Sequence, residues 1–149
     1  MSMFSSFDIN ASGLTAQRYR MDVISENVAN ANTTRTADGT PYRRKVVCFE
    51  QKGAQTPFGK VLGDITSSQY SGQGVKVSAL MEDTETEMRM VYDPSHPDAD
   101  ENGYVTYPNV NIVSEMTDLI DASRAYEANA TAFTASKSIA LQGLQLAQQ

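Results

Sequence analysis

The sequence contains no tryptophan, a single histidine and a single cysteine in 149 residues, and each scarcity closes off some chemistry. One thiol, Cys48, makes no intrachain disulfide. Within the apolar run Val46-Val47-Cys48-Phe49 it reads as a buried, inert side chain, which leaves the redox compartment open. The lone histidine, His96, sits in Pro94-Ser95-His96-Pro97. Adjacent residues rarely give the geometry a nucleophile and its base require, so His96 is expected in a rigid, extended loop rather than in catalysis. Without tryptophan the carboxylates between Glu82 and Glu101 lack a sugar platform, and they read as an acidic surface. Zinc-ligand spacing, a phosphate-binding glycine loop and a nucleotide fingerprint are all missing, so no catalytic residue, metal or cofactor is expected. The longest apolar runs are three or four residues, too short for a membrane span. The first residues show neither a basic region nor an apolar one, so no cleaved secretion signal is expected, although export by another route stays open. Positive charge clusters only at Arg43-Arg44-Lys45, which disfavours a nucleic-acid partner.

What is present points to one domain, or one and a small module, with 40% apolar residues and a net charge of −6. That charge is uneven. Residues 1–60 hold eight basic against five acidic side chains, whereas residues 61–149 hold four against thirteen. A solvated acidic face explains this plainly; head-to-tail attraction between copies is the sharper reading.

The dominant pattern lies at the C-terminus. From Asn109 to Gln149, Ile112, Met116, Leu119, Ser123, Tyr126, Ala130, Phe133, Lys137, Ala140, Leu144 and Ala147 recur at steps of three and four, the a/d seam of one long helix. Asn109 or Asn111 is placed to cap it. A core helix is the ordinary explanation of an apolar stripe, but this length and terminal position favour a partner. A second seam runs from Met3 to about Asn30 through Phe7, Ala11, Leu14, Gln17, Met21, Ile24, Val28 and Ala31. Asp8, Asn10 or Ser12 is expected as its cap, Gly13 weakens its first turn, and Asn27, Asn30 and Asn32 are expected at its end.

Between the helices, threonine, glycine and proline punctuate short alternating segments. Tyr42–Gln51, Val75–Leu80 and Thr84–Tyr92 read as strands, and the glycines and prolines from Lys52 to Gly74 imply long loops. The expected fold is α+β: two long terminal helices forming a coiled-coil-like layer, with a small inserted antiparallel β module. Three segments follow: 1–32, 33–108 and 109–149. A longer C-terminal seam leaves apolar surface that a neighbour must cover, and contacts that do not close into a ring propagate as a filament.

One local motif competes. Asp98, Asp100 and Asn102-Gly103 match the first half of a calcium loop, but Asn109 stands where a bidentate glutamate belongs, and Pro94 and Pro97 exclude the entering helix. An acidic turn is the simpler reading. A calcium-dependent extracellular binding module using this turn is kept as the alternative.

The stretch Ser12-Gly-Leu-Thr-Ala-Gln-Arg-Tyr-Arg-Met-Asp-Val-Ile-Ser-Glu-Asn-Val-Ala-Asn-Ala-Asn-Thr33 resembles the N-terminal signature of the bacterial flagellar rod and hook family. Asn109-Val-Asn-Ile-Val-Ser-Glu-Met116 and Ala122-Ser-Arg-Ala-Tyr-Glu-Ala-Asn129 are similar to its C-terminal signature, and Tyr92–Val105 is similar to a stretch typical of proximal rod members. Thr33-Thr34-Arg35 departs from the proline, glycine and tyrosine of many distal relatives, which also favours a proximal member. The resemblance implies a non-enzymatic subunit of the basal-body rod, outside the cytoplasmic membrane. It implies partnership with other rod subunits, with copies of itself and, during secretion, with the flagellar type III export apparatus. Leu14, Met21, Ile24, Val28, Ile112, Met116, Leu119, Tyr126, Phe133 and Leu144 are then expected between helices. Asn27, Asn30, Asn32, Arg124 and Asn129 are expected to hydrogen-bond between subunits and fix register.

Overall fold

The computed structural model describes residues 3–53 and 73–146, with side chains from residue 5 onward. In chain order the elements are α1 (Met3–Ala29), β1 (Lys45–Gln51), β2 (Val75–Glu82), β3 (Arg89–Tyr92), β4 (Tyr104–Tyr107) and α2 (Ile112–Leu146). The α+β reading holds: in chain order two long helices flank two antiparallel two-stranded sheets, β1 with β2 and β3 with β4. The loops expected between Lys52 and Gly74, and Ala147 of the C-terminal seam, lie almost wholly outside the described residues.

Several boundaries differ from expectation for local reasons. α1 begins at Met3, so Asp8, Asn10 and Ser12 are interior rather than caps. Ser12 instead donates its hydroxyl to the Ile9 carbonyl at 2.7 Å and accepts the Val75 amide at 3.0 Å. The asparagine cluster does close α1, because Asn30 donates its side-chain amide to the Glu26 carbonyl and accepts from the Thr33 hydroxyl. Asn111 caps α2 by accepting the Val113 amide at 3.0 Å, which leaves Asn109 for another task. The strand expected from Tyr42 begins at Lys45, and the one expected from Thr84 shrinks to Arg89–Tyr92. In the second case Asp83 accepts the Glu85 and Thr86 amides and the Thr86 hydroxyl, closing a turn that competes with extended backbone. Pro94-Ser95-His96-Pro97 is a run of turns rather than an extended loop, with His96 N–H donating to the Asp93 carbonyl and Ala99 N–H to that of His96. Cys48 is half-buried, its sulfur 3.5 Å from that of Met81, not sealed in a core.

The chain divides into two compact units, residues 1–18, 49–78 and 123–149 in one, and 19–48 and 79–122 in the other. In the first, Phe7 meets Phe133 edge to face at 5.2 Å between centroids, and Asn10 donates to Ser136. Gly13 lies so close to Asn129 that a Cβ built there would stand 2.8 Å from the Asn129 side-chain oxygen. The glycine is thus a close-approach position on α1. At the edge of this unit the Lys52 amide donates to the Gly74 carbonyl at 2.9 Å.

The second unit holds nearly all the deeply buried residues. Among the described residues Ala16 alone represents the first unit, against Val23, Ile24, Asn27, Ala31, Tyr42, Val105, Pro108, Asn109, Glu115 and Ala122 in the second. In the β3–β4 ladder Arg89 faces Tyr107 and Tyr92 faces Tyr104, with the latter rings 5.3 Å apart.

Candidate assembly interface

A buried polar junction organises the second unit. Glu115, 1% exposed one turn into α2, accepts from Arg44 Nε at 2.6 Å and from Asn27 Nδ2 at 2.9 Å. A carboxylate that deep is tolerable only when paired and hydrogen-bonded, and here it is both. Asn27 uses its whole amide: Nδ2 donates to Glu115 and the Lys45 carbonyl, while Oδ1 accepts from the Tyr42 hydroxyl and the Lys45 amide. Asn109 accepts the Arg44 amide and donates to the Asp83 carbonyl. The end of α1, the start of β1 and the start of α2 are thereby tied through side chains of opposite or complementary polarity.

The electrostatics follow from this crowding. Burial pushes the Tyr42 hydroxyl up to about 12, with Glu26, Glu115 and Glu82 adding to the rise. The Asp83 carboxyl is held below its usual range chiefly by the Thr86 amide and hydroxyl, helped by Arg44. Asp93 is lowered by the Ser95 hydroxyl and amide. Arg44 also stands 3.6 Å from Asp118 and 3.8 Å from Asp83, and Arg20 meets Asp118 at 3.0 Å.

The acids of the 98–103 turn are committed elsewhere. Asp98 accepts from the Thr34 hydroxyl and faces Arg35, whereas Asp100 accepts the Asn102 and Tyr104 amides around Gly103, whose φ is 81°. Among the described residues no three metal-binding side chains converge.

The expected interface residues fall into three groups. Ile24 and Asn27 are buried within the chain; Leu14, Met21, Val28, Asn30, Leu119, Asn129 and Phe133 are half-buried; Asn32, Ile112, Met116, Arg124, Tyr126 and Leu144 are exposed. With all four amide contacts used, Asn27 has nothing left to offer a neighbour, and Asn129 donates to the Ala125 carbonyl of its own helix. The less exposed positions of α2 include Glu115, Asp118, Leu119 and Ala122 in one unit and Asn129, Phe133, Ser136 and Ala140 in the other. That face shares Leu119, Phe133 and Ala140 with the apolar seam but turns the seam's other flank outward. Large side chains are left outward, with Met116 55% and Leu144 58% exposed. Reasoning from sequence missed Arg44, Tyr42, Lys45 and Glu115. The usable signal was a glutamate at a helix start in a chain with one basic cluster, and nothing local in the sequence pairs the two.

Comparison with known proteins bears on both helices. Residues 7–35 match the family described as "Flagella basal body rod protein", and residues 101–146 match "Flagellar basal body rod FlgEFG protein C-terminal". Over 99% of its length the chain is 46% identical to the flagellar basal-body rod protein FlgC of Borreliella burgdorferi, of which 99% is covered. The FlgC of Bacillus subtilis is 44% identical over 98% of the chain and 99% of its own length. That of Salmonella typhimurium is 40% identical over 99% of the chain and its own full length. The chain belongs to the FlgC family of flagellar basal-body rod proteins. With FlgC membership comes a structural role in the rod. Asn27 lies in the first matched stretch and Glu115 in the second, while Tyr42, Arg44 and Lys45 lie between them. The polar junction therefore joins the two matched segments directly, through Asn27 and Glu115, and again through residues that neither contains.

Proposed function

We propose that the chain is a non-enzymatic subunit of the proximal rod, joining other rod proteins and copies of itself in a hollow shaft that transmits torque. In this reading residues 1–32 and 109–149 form the inner coiled-coil layer, and residues 33–108 project outside it. The subunit leaves the cell through the type III export channel and functions beyond the cytoplasmic membrane. The observation that carries the proposal is the outward apolar surface of α2: Ile112, Met116, Tyr126 and Leu144 are all at least one-third exposed. Covering each large side chain contributes about 1.5–3 kcal/mol when burial is complete. Exposed Asn32 and Arg124 supply polar contacts at the rim, where they set register rather than affinity.

The test separates export from assembly. Ile112→Asp and Tyr126→Asp chains should appear in the medium at wild-type amounts in a hook-less secreting strain, yet be missing from purified basal bodies and leave cells non-motile. Normal incorporation of both variants would refute the assignment of these residues to subunit contacts.

A further inference from the structure

Beside the start of α2 the second unit carries a groove of about 440 Å³, lined by Ala31, Asn32, Glu87, Pro108, Ile112 and Val113 among others. Beyond the groove, Met116 and Ile120 follow Ile112 along the same side of the helix, since positions 112, 116 and 120 are on successive turns. Val113 is 75% exposed, and Met116 and Ile120 are more than half exposed. Arg89 also borders the groove, its guanidinium over the Tyr107 ring at 5.0 Å, and Glu87 is the one acid in the lining.

We propose that this groove receives the C-terminal half of α2 from a second copy of the chain. The proposal deepens the rod-subunit reading and rests on it. Two features of the chain select that occupant. Residues 128–146 carry one charged side chain, Lys137, and no acid, while Ile139, Leu141, Leu144 and Leu146 are exposed. An apolar helix with a basic residue is what an apolar groove holding a glutamate accepts. The overall charge agrees: the unit containing the C-terminal half of α2 bears six basic and four acidic side chains, and the unit containing the groove six basic and fourteen acidic. Opposite signs on the two surfaces steer copies head to tail and oppose groove-to-groove pairing. Because groove and occupant are different parts of the same chain, each bound copy still offers one of each, and the contact propagates.

Sedimentation velocity on the purified full chain tests this. Wild type should form an open-ended series of oligomers, weakened about tenfold in association constant by raising salt from low to molar levels. A groove variant, Val113→Asp with Met116→Asp, and a tail variant, Leu141→Asp with Leu144→Asp, should each be monomeric. Mixed, they should give a 1:1 dimer that grows no further, since only one good groove and one good tail remain. Glu87→Lys or Lys137→Glu alone should weaken association several-fold, and the chain carrying both should recover it; this pair perturbs no apolar contact. Unchanged association in the groove variant, or a monomeric mixture of two chains that keep the wild-type circular dichroism spectrum, overturns the proposal. Monomeric wild type whose groove variant is still excluded from basal bodies assigns the groove to a different rod protein, and also overturns it. The rod reading fails separately, if wild-type chain is missing from purified basal bodies whatever it does in solution.

Discussion

At the scale of single residues, Gly13 and Tyr42 show how packing decides what a side chain is worth. Gly13 lowers the helix propensity of α1 by about 1 kcal/mol relative to alanine. Its lack of a Cβ admits Asn129, however, so the two effects oppose each other. Gly13→Ala should be near neutral in chemical denaturation, whereas in an Asn129→Ala background the same change should stabilise by about 1 kcal/mol, the helix gain without the crowding. For Tyr42 the sign follows from linkage. Its folded-state pKa of about 12 lies above the ordinary 10.0, so the folded chain holds this proton more tightly than the unfolded one. The stability this provides is complete below pH 10 and is lost as pH rises towards 12. Wild type should therefore lose roughly 2 kcal/mol more than Tyr42→Phe across that window, read as the difference between their denaturation midpoints.

At the scale of elements, the decisive feature is the joint between α1, β1 and α2. Removing Glu115 takes away the closest acceptor of the Arg44 guanidinium and one of the four Asn27 contacts. Glu115→Ala should cost about 3 kcal/mol, while Arg20→Ala, which breaks a pair whose side chains are both 35% exposed, should cost less than about 1 kcal/mol. Both helices were legible in the sequence because three-four periodicity is a local property and no proline interrupts it. The seam of α1 does face inward at all its positions but Ala11, whereas that of α2 does so only in part. The side of α2 turned towards its neighbours includes Glu115, Asp118, Asn129 and Ser136, and polar residues read as inward only once remote partners such as Arg44, Arg20 and Asn10 are known. Strand β3 was overcalled for a related reason: Met88 and Met90 alternate well, but Asp83 captures the preceding backbone in a turn.

At the scale of the whole molecule, burial is concentrated in the unit made of residues 19–48 and 79–122. Hydrogen exchange on the dilute chain should show strong protection at 19–29 and 112–122 and faster exchange at 3–18 and 123–146, because the latter stretches have little deeply buried apolar surface to hold them. Equal protection throughout would contradict this. The family was legible from the terminal signatures, whereas the division of the chain into a well-buried and a sparsely buried unit was not, since it depends on which faces meet rather than on how many apolar residues each segment holds.

The amide-to-carbonyl bond between Lys52 and Gly74 has a practical consequence. It staples the chain just after β1 to the chain just before β2, and Ser12 secures the adjoining Val75 amide. Chain added between those two points changes loop entropy only slowly with length and leaves the staple in place. An epitope or fluorophore-binding peptide added in sequence between Lys52 and Gly74 would thus label the subunit with the staple between β1 and β2 kept.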